Sequence, residues 1–198
     1  KGVGALYLRK GSPDLFSPVC GGSQEKKRRG GTENVAGIAG FGKACELAQK
    51  RVDSLEFLNL SSLREHFYQL VSTLISGVEI FGDLENRLPN TLNLGFEAVE
   101  GDTLLISLDM AGGAVSTGSA CSSGSGLPSP VLTAMGIPFD KINSSIRFSF
   151  GWSNTTAEIE KAAKILAQTV SLNRTGTAME GSKKINETPL KFNRYKIY

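Results

Sequence analysis

The residues best suited to chemistry in this chain lie in a run of small side chains. Cys121 stands at the middle of Ser116-Thr117-Gly118-Ser119-Ala120-Cys121-Ser122-Ser123-Gly124-Ser125-Gly126. Nothing in that run has the bulk to pack a core, and Gly/Ser composition makes a chain flexible. A thiol at its centre is expected to be exposed and able to swing, which suits a sulfur carrier or a covalent nucleophile. The bland alternative is a linker with an incidental cysteine. Arg147 is the second candidate: it alternates with Ile146 and Phe148 in a strand-like stretch, so its guanidinium should point away from the apolar face. The rigid fork of arginine suits bidentate binding of a carboxylate or phosphate, although a structural ion pair or an edge-strand charge would give the same pattern. Thr32 is the third. It closes the loop Gly21-Gly22-Ser23-Gln24-Glu25-Lys26-Lys27-Arg28-Arg29-Gly30-Gly31-Thr32 just ahead of a helical pattern. Glycines permit close backbone approach, while a hydroxyl, basic side chains and a helix N-terminus all favour an anion. Thr32 could equally be no more than an N-cap.

The other reactive residue types carry weaker signals. Cys45 falls on an apolar helical stripe and is expected in a core, and Cys20, before Gly21-Gly22, is undecided. Three cysteines at no metal-ligand spacing favour a reducing compartment over a disulfide scaffold. His66, the one histidine, has no second ligand near it in sequence. Paired carboxylates, a nucleophile–base triad and a phosphate-binding lysine loop are absent from the sequence.

These candidates must be held by secondary structure, and the periodicities supply it. An apolar run at 3–8 reads as a buried strand ending in a turn at Gly11-Ser12-Pro13. Residues 34–52 read as a helix with Ile38, Phe41, Cys45, Ala48 and Val52 on one stripe, and residues 55–75 as a second helix through Leu58, Leu63, Phe67, Leu70, Val71 and Leu74. Ser62-x-x-Glu65 could restart the helix as a capping box, or one long helix could bend there. Residues 91–96 alternate like a strand, 102–110 form a short helix, 114–117 are strand-like, and Pro128 is placed to open another helix. Residues 146–150 form a strand, and Thr155-x-x-Glu158 caps a last helix through Ile159, Ala162, Leu166 and Val170.

The composition is that of an ordinary globular chain: 198 residues, 40% apolar and 21% charged. Its net charge of +3 is uneven, because Arg174, Lys183, Lys184, Lys191, Arg194 and Lys196 face only Glu180 and Glu187 after position 172. The rest is near neutral, which argues against a nucleic-acid-binding domain, and no apolar stretch approaches the roughly 18 residues of a membrane span. The order of elements is mixed α/β without internal repeats.

Five segments together resemble, in family order, the C-terminal half of a cysteine desulfurase, a pyridoxal-phosphate enzyme of the class V aminotransferase group. They are Lys1-Gly2-Val3-Gly4-Ala5-Leu6-Tyr7; Gly21-Gly22-Ser23-Gln24-Glu25 with Arg29-Gly30-Gly31-Thr32; Leu88-Pro89-Asn90-Thr91-Leu92-Asn93; residues 116–123; and Ile146-Arg147-Phe148-Ser149-Phe150-Gly151. The Gly-Ser-Ala-Cys form of the cysteine loop is similar to the subgroup serving iron–sulfur cluster assembly. The resemblance implies a partial fold-type-I, aspartate-aminotransferase-like α/β transferase, mainly its small C-terminal domain. On that comparison residues 1–54 are expected to be a remnant of the large cofactor-binding domain plus a connecting helix. Residues 55–172 would be the small domain, and 173–198 a basic tail.

The same resemblance implies roles. Cys121 would take sulfur from L-cysteine as a persulfide, releasing L-alanine; Arg147 would hold the substrate carboxylate; Thr32 would reach the pyridoxal 5'-phosphate phosphate of a second subunit in a homodimer. The persulfide would pass to a sulfur acceptor or iron–sulfur scaffold protein in the cytoplasm or an organelle matrix, with no nucleic acid and no membrane involved. The family's Schiff-base lysine lies upstream of Lys1, so the cofactor is expected to be bound mainly by a half not present, and these residues alone are expected to be inactive. Other readings are a selenocysteine lyase or another class V aminotransferase, or a non-catalytic partner or regulatory chain.

Overall fold

The computed structural model describes residues 2–13, 16–17, 19–118 and 128–176. They divide into two compact units, Lys1–Leu55 and Glu56–Tyr198.

In the first unit, α1 (Gln24–Lys27) is a single turn in which Glu25, Lys26 and Lys27 all have positive φ. Left-handed backbone costs L-residues about 1–2 kcal/mol each, so this turn is strained. α2 (Val35–Asp53) begins at Asn34, whose side chain accepts a hydrogen bond from the Gly37 N–H. The N-cap is therefore Asn34 and not Thr32. The apolar stripe expected of α2 buries nothing within the unit: Ile38, Phe41 and Val52 are exposed, and so is Cys45, against the expectation of a core thiol. The 3–8 run is not a strand either. It has no hydrogen-bonded partner among the described residues, and Leu6 and Tyr7 are 74% and 87% exposed. A lone extended segment cannot satisfy its own backbone groups, so the pattern is present without the structure.

The break between the long helices falls at Ser54 and Leu55, where Leu55 has φ 58°. Ser62 does not restart a helix. It lies inside α3 (Phe57–Leu74) and its hydroxyl donates to the Leu58 carbonyl.

The second unit holds three antiparallel strands in the order β1 (Val78–Phe81), β2 (Thr91–Phe96), β3 (Ser145–Ser149). Between β2 and β3 come α4 (Gly101–Met110), α5 (Pro130–Ala134) and α6 (Phe139–Asn143), and α7 (Thr156–Arg174) follows β3. β1 and α6 were not evident from sequence; at four and five residues they are too short to show a period. α5 starts at Pro130 rather than Pro128, because the buried Ser129 side chain accepts from Leu132 N–H and leaves proline at the first helical position.

Alternation gives the sheet two faces. Leu92, Leu94 and Phe96 of β2 and Ile146 and Phe148 of β3 point inward against Phe67 and Val71 of α3, Leu104 and Leu108 of α4, and Ile159, Ala163, Leu166 and Val170 of α7. Phe67, fully buried, holds the centre, with ring centroids 5.0 Å from Phe148 and 5.5 Å from Phe150. A smaller cluster of Phe81, Leu132 and Ile142 lies apart from it. α7 is started by a full capping box: Glu158 N–H donates to the Thr155 hydroxyl, and Thr155 N–H to the Glu158 carboxylate. No helix among the described residues is long and apolar enough to cross a membrane.

Two substitutions weigh these terms in a denaturant titration of the chain. Phe67→Ala should destabilise the second unit by about 3–5 kcal/mol through lost burial and a cavity. Thr155→Ala should cost only about 1 kcal/mol, the worth of a helix cap. Equal losses would mean that the Phe67 cluster is not its core.

Candidate functional site

Arg147 occupies the middle of β3, and the strand pairing dictates what surrounds it. Its neighbours Ile146 and Phe148 take the buried face, so Arg147 is directed to the other face and is half-buried there. Asn93 of β2 is its cross-strand partner, and Phe81 of β1 is in turn the partner of Asn93. On the far side, Ser116 pairs with Arg147 in a two-way bridge. Arg147 N–H donates to the Ser116 carbonyl at 2.7 Å, and Ser116 N–H donates back at 3.2 Å. The row across the sheet therefore reads Phe81, Asn93, Arg147, Ser116.

Two consequences follow for the small-residue run. Its first residue, Ser116, is fixed to the backbone of Arg147, which covers the outer edge of β3 at that point. A few residues on, Gly118 lies so close to the Ser129 cap of α5 that a Cβ placed on it would come within 3.1 Å of Ser129 Cβ. Both ends of the segment that carries Cys121 thus converge near Arg147's strand. Cys121 itself lies outside the described residues.

The electrostatics of the row are unbalanced. No ion pair holds the Arg147 guanidinium among the described residues. Beside it, the side-chain oxygen of Asn93 is buried and has no hydrogen-bond partner among the described residues. An unsatisfied buried acceptor costs about 1–3 kcal/mol. Sequence reasoning did not single out Asn93 as a candidate; the signal available was its outward position in the 91–96 alternation, opposite the arginine strand.

Thr32 belongs to the first unit. It is exposed and lines a cleft of about 700 Å³ with Arg28, Arg29, Val3, Ile38 and Phe41. The loop before α2 is held by Arg29, whose Nη1 donates to the Gly31 carbonyl at 2.6 Å and to the Thr32 carbonyl at 3.3 Å. A hydroxyl at Thr32 and a guanidinium at Arg28, lining one cleft ahead of the 19-residue α2, are of the chemical types a phosphate monoester takes. His66 Nε2 lies 3.6 Å from a Glu160 carboxylate oxygen, and no cluster of metal-ligating side chains occurs among the described residues.

The family model for class-V aminotransferases matches residues 1–162. A cysteine desulfurase IscS of Dictyoglomus turgidum is 45% identical over 187 residues, covering 94% of this chain and 47% of that protein. A cysteine desulfurase of Bradyrhizobium diazoefficiens is 46% identical over 176 residues, covering 88% of this chain and 44% of its own length. A solved NifS-like protein superimposes with a TM-score of 0.73 at 32% identity, over 84% of this chain and 41% of that one. The NifS-like protein of Rickettsia africae gives 0.66 at 34% identity, over 78% and 39%. The chain thus spans about half the length of the curated relatives it matches, and its small antiparallel sheet with backing helices is a partial fold-type-I α/β architecture. With the family model covering most of its length, the chain belongs to the class-V aminotransferase family.

Proposed function

We propose that this chain is the part of a pyridoxal-phosphate-dependent cysteine desulfurase that carries the sulfur-accepting thiol and the substrate-carboxylate clamp. The observation that carries the reading is the two-way backbone bridge between Arg147 and Ser116. It sets a guanidinium that makes no ion pair among the described residues beside the start of the segment that bears Cys121. Such a cation suits the α-carboxylate of an amino acid, which two parallel N–H bonds would orient. Residues 55–172 are read as the small domain, and residues 1–54 as the edge of the large cofactor domain with its connecting helix.

The chemistry assigned to this chain is sulfur capture. Arg147 holds the carboxylate of L-cysteine, and Cys121, as thiolate, attacks the substrate sulfur. An S–S bond forms to Cys121 while the Cβ–S bond of the substrate breaks. The electron pair of that bond stays on the carbon side and, with a proton, yields L-alanine, leaving a persulfide on Cys121. Pyridoxal phosphate, when bound, supplies the electron sink that stabilises the carbon left behind. From this chain, the hydroxyl of Thr32 would hold the cofactor phosphate, in a site shared with a second subunit of a homodimer. The persulfide sulfur then goes to an acceptor thiol, on a scaffold protein for iron–sulfur cluster assembly. The names borne by the relatives and the fit of the donor sets support this assignment.

The test is substitution in the intact holoprotein. Cys121→Ser should reduce alanine release from L-cysteine about a hundredfold or more while the protein still binds the amino acid. Arg147→Ala should lower kcat/KM by about a hundredfold, mostly through KM, and Arg147→Lys should restore only part of it, because an ammonium lacks the planar fork. Unchanged turnover in Cys121→Ser would overturn the reading in favour of a transaminase that needs no thiol.

A further inference from the structure

We infer that Asn93 is a positioning residue for substrate recognition, its carboxamide oxygen being the acceptor that fixes the plane of the Arg147 guanidinium once a carboxylate is seated. The inference rests on the carboxylate-binding role proposed for Arg147. Its own support is the juxtaposition, in one cross-strand row, of two polar side chains with no side-chain partner among the described residues.

Asn93 and Arg147 are paired residues of β2 and β3, so their side chains leave the same face of the sheet. Paired residues of an antiparallel ladder have Cβ atoms about 4.5–5.5 Å apart, within reach of an arginine and an amide. The Asn93 oxygen is buried and accepts no hydrogen bond from any described residue. Phe81, 5% exposed and packed with Leu132 and Ile142, occupies the other flank of Asn93, so that side offers no donor. In this row the side chain able to satisfy the oxygen is Arg147. A guanidinium has five N–H groups, and a bidentate carboxylate uses two. A spare N–H is thus available to Asn93 while the fork faces the ligand, and the acceptor on one side limits the planes in which that fork can lie. An arginine oriented in advance loses less freedom on binding and holds the ligand more tightly.

Chemistry distinguishes this role from a packing defect. Replacing Asn93 by Leu removes the unsatisfied oxygen at similar volume, so the chain should melt at a higher temperature. In the intact holoprotein the same change should raise KM for L-cysteine about tenfold with kcat within twofold. Asn93→Asp should be worse than Asn93→Leu, raising KM a hundredfold or more, because a carboxylate at 93 pairs with Arg147 and competes with the substrate. Asn93→Gln, which keeps the acceptor, should recover part of the loss. The inference is overturned if KM stays within twofold in the Leu and Asp variants while Arg147→Ala raises it. If Arg147→Ala also leaves KM unchanged, the carboxylate role of Arg147 fails and this inference falls with it.

Discussion

The register between β2 and β3 is the constraint on which the site depends. In an antiparallel ladder side chains alternate, so the pairing that turns Leu92, Leu94, Ile146 and Phe148 into the core necessarily sends Asn93 and Arg147 to the opposite face. A slip of one residue would bury the guanidinium and expose the leucines, at a cost of several apolar side chains. The hydrophobic core therefore selects the orientation of the polar row. Phe67 contributes from α3 by packing against both Phe148 and Phe150, which flank the outward positions of β3.

Much of this was legible in the amino-acid order. β2 and β3 alternate without interruption, which made the outward direction of Arg147 evident. The Thr155-x-x-Glu158 start of α7 is a reciprocal pair of hydrogen bonds that local sequence alone can encode. What escaped is what depends on partners distant in the chain. β1 consists of four residues, and it is a strand because β2 lies beside it. The unsatisfied oxygen of Asn93 and the bridge from Arg147 to Ser116 exist only once chain segments far apart in sequence have been brought together.

The first unit shows the converse. The apolar periodicity of α2 and of residues 3–8 states what these segments are built to pack against, yet α2 buries no residue in this unit. Sequence pattern predicts burial only if the opposing surface is supplied. The same reasoning explains Cys45, which lies on a well-formed stripe and is nonetheless exposed. The setting of Thr32 escapes the difficulty because it rests on local features: a loop clamped by Arg29 and the start of α2, which Asn34 caps.

The approach of Gly118 to Ser129 bears on how such a protein can diverge. The described chain stops at Gly118 and resumes close by, next to Ser129. Adding residues between two such fixed points costs little, since doubling a loop raises its closure entropy by only about 0.6 kcal/mol. The number of residues between these two points can therefore change while β3 keeps its register with β2.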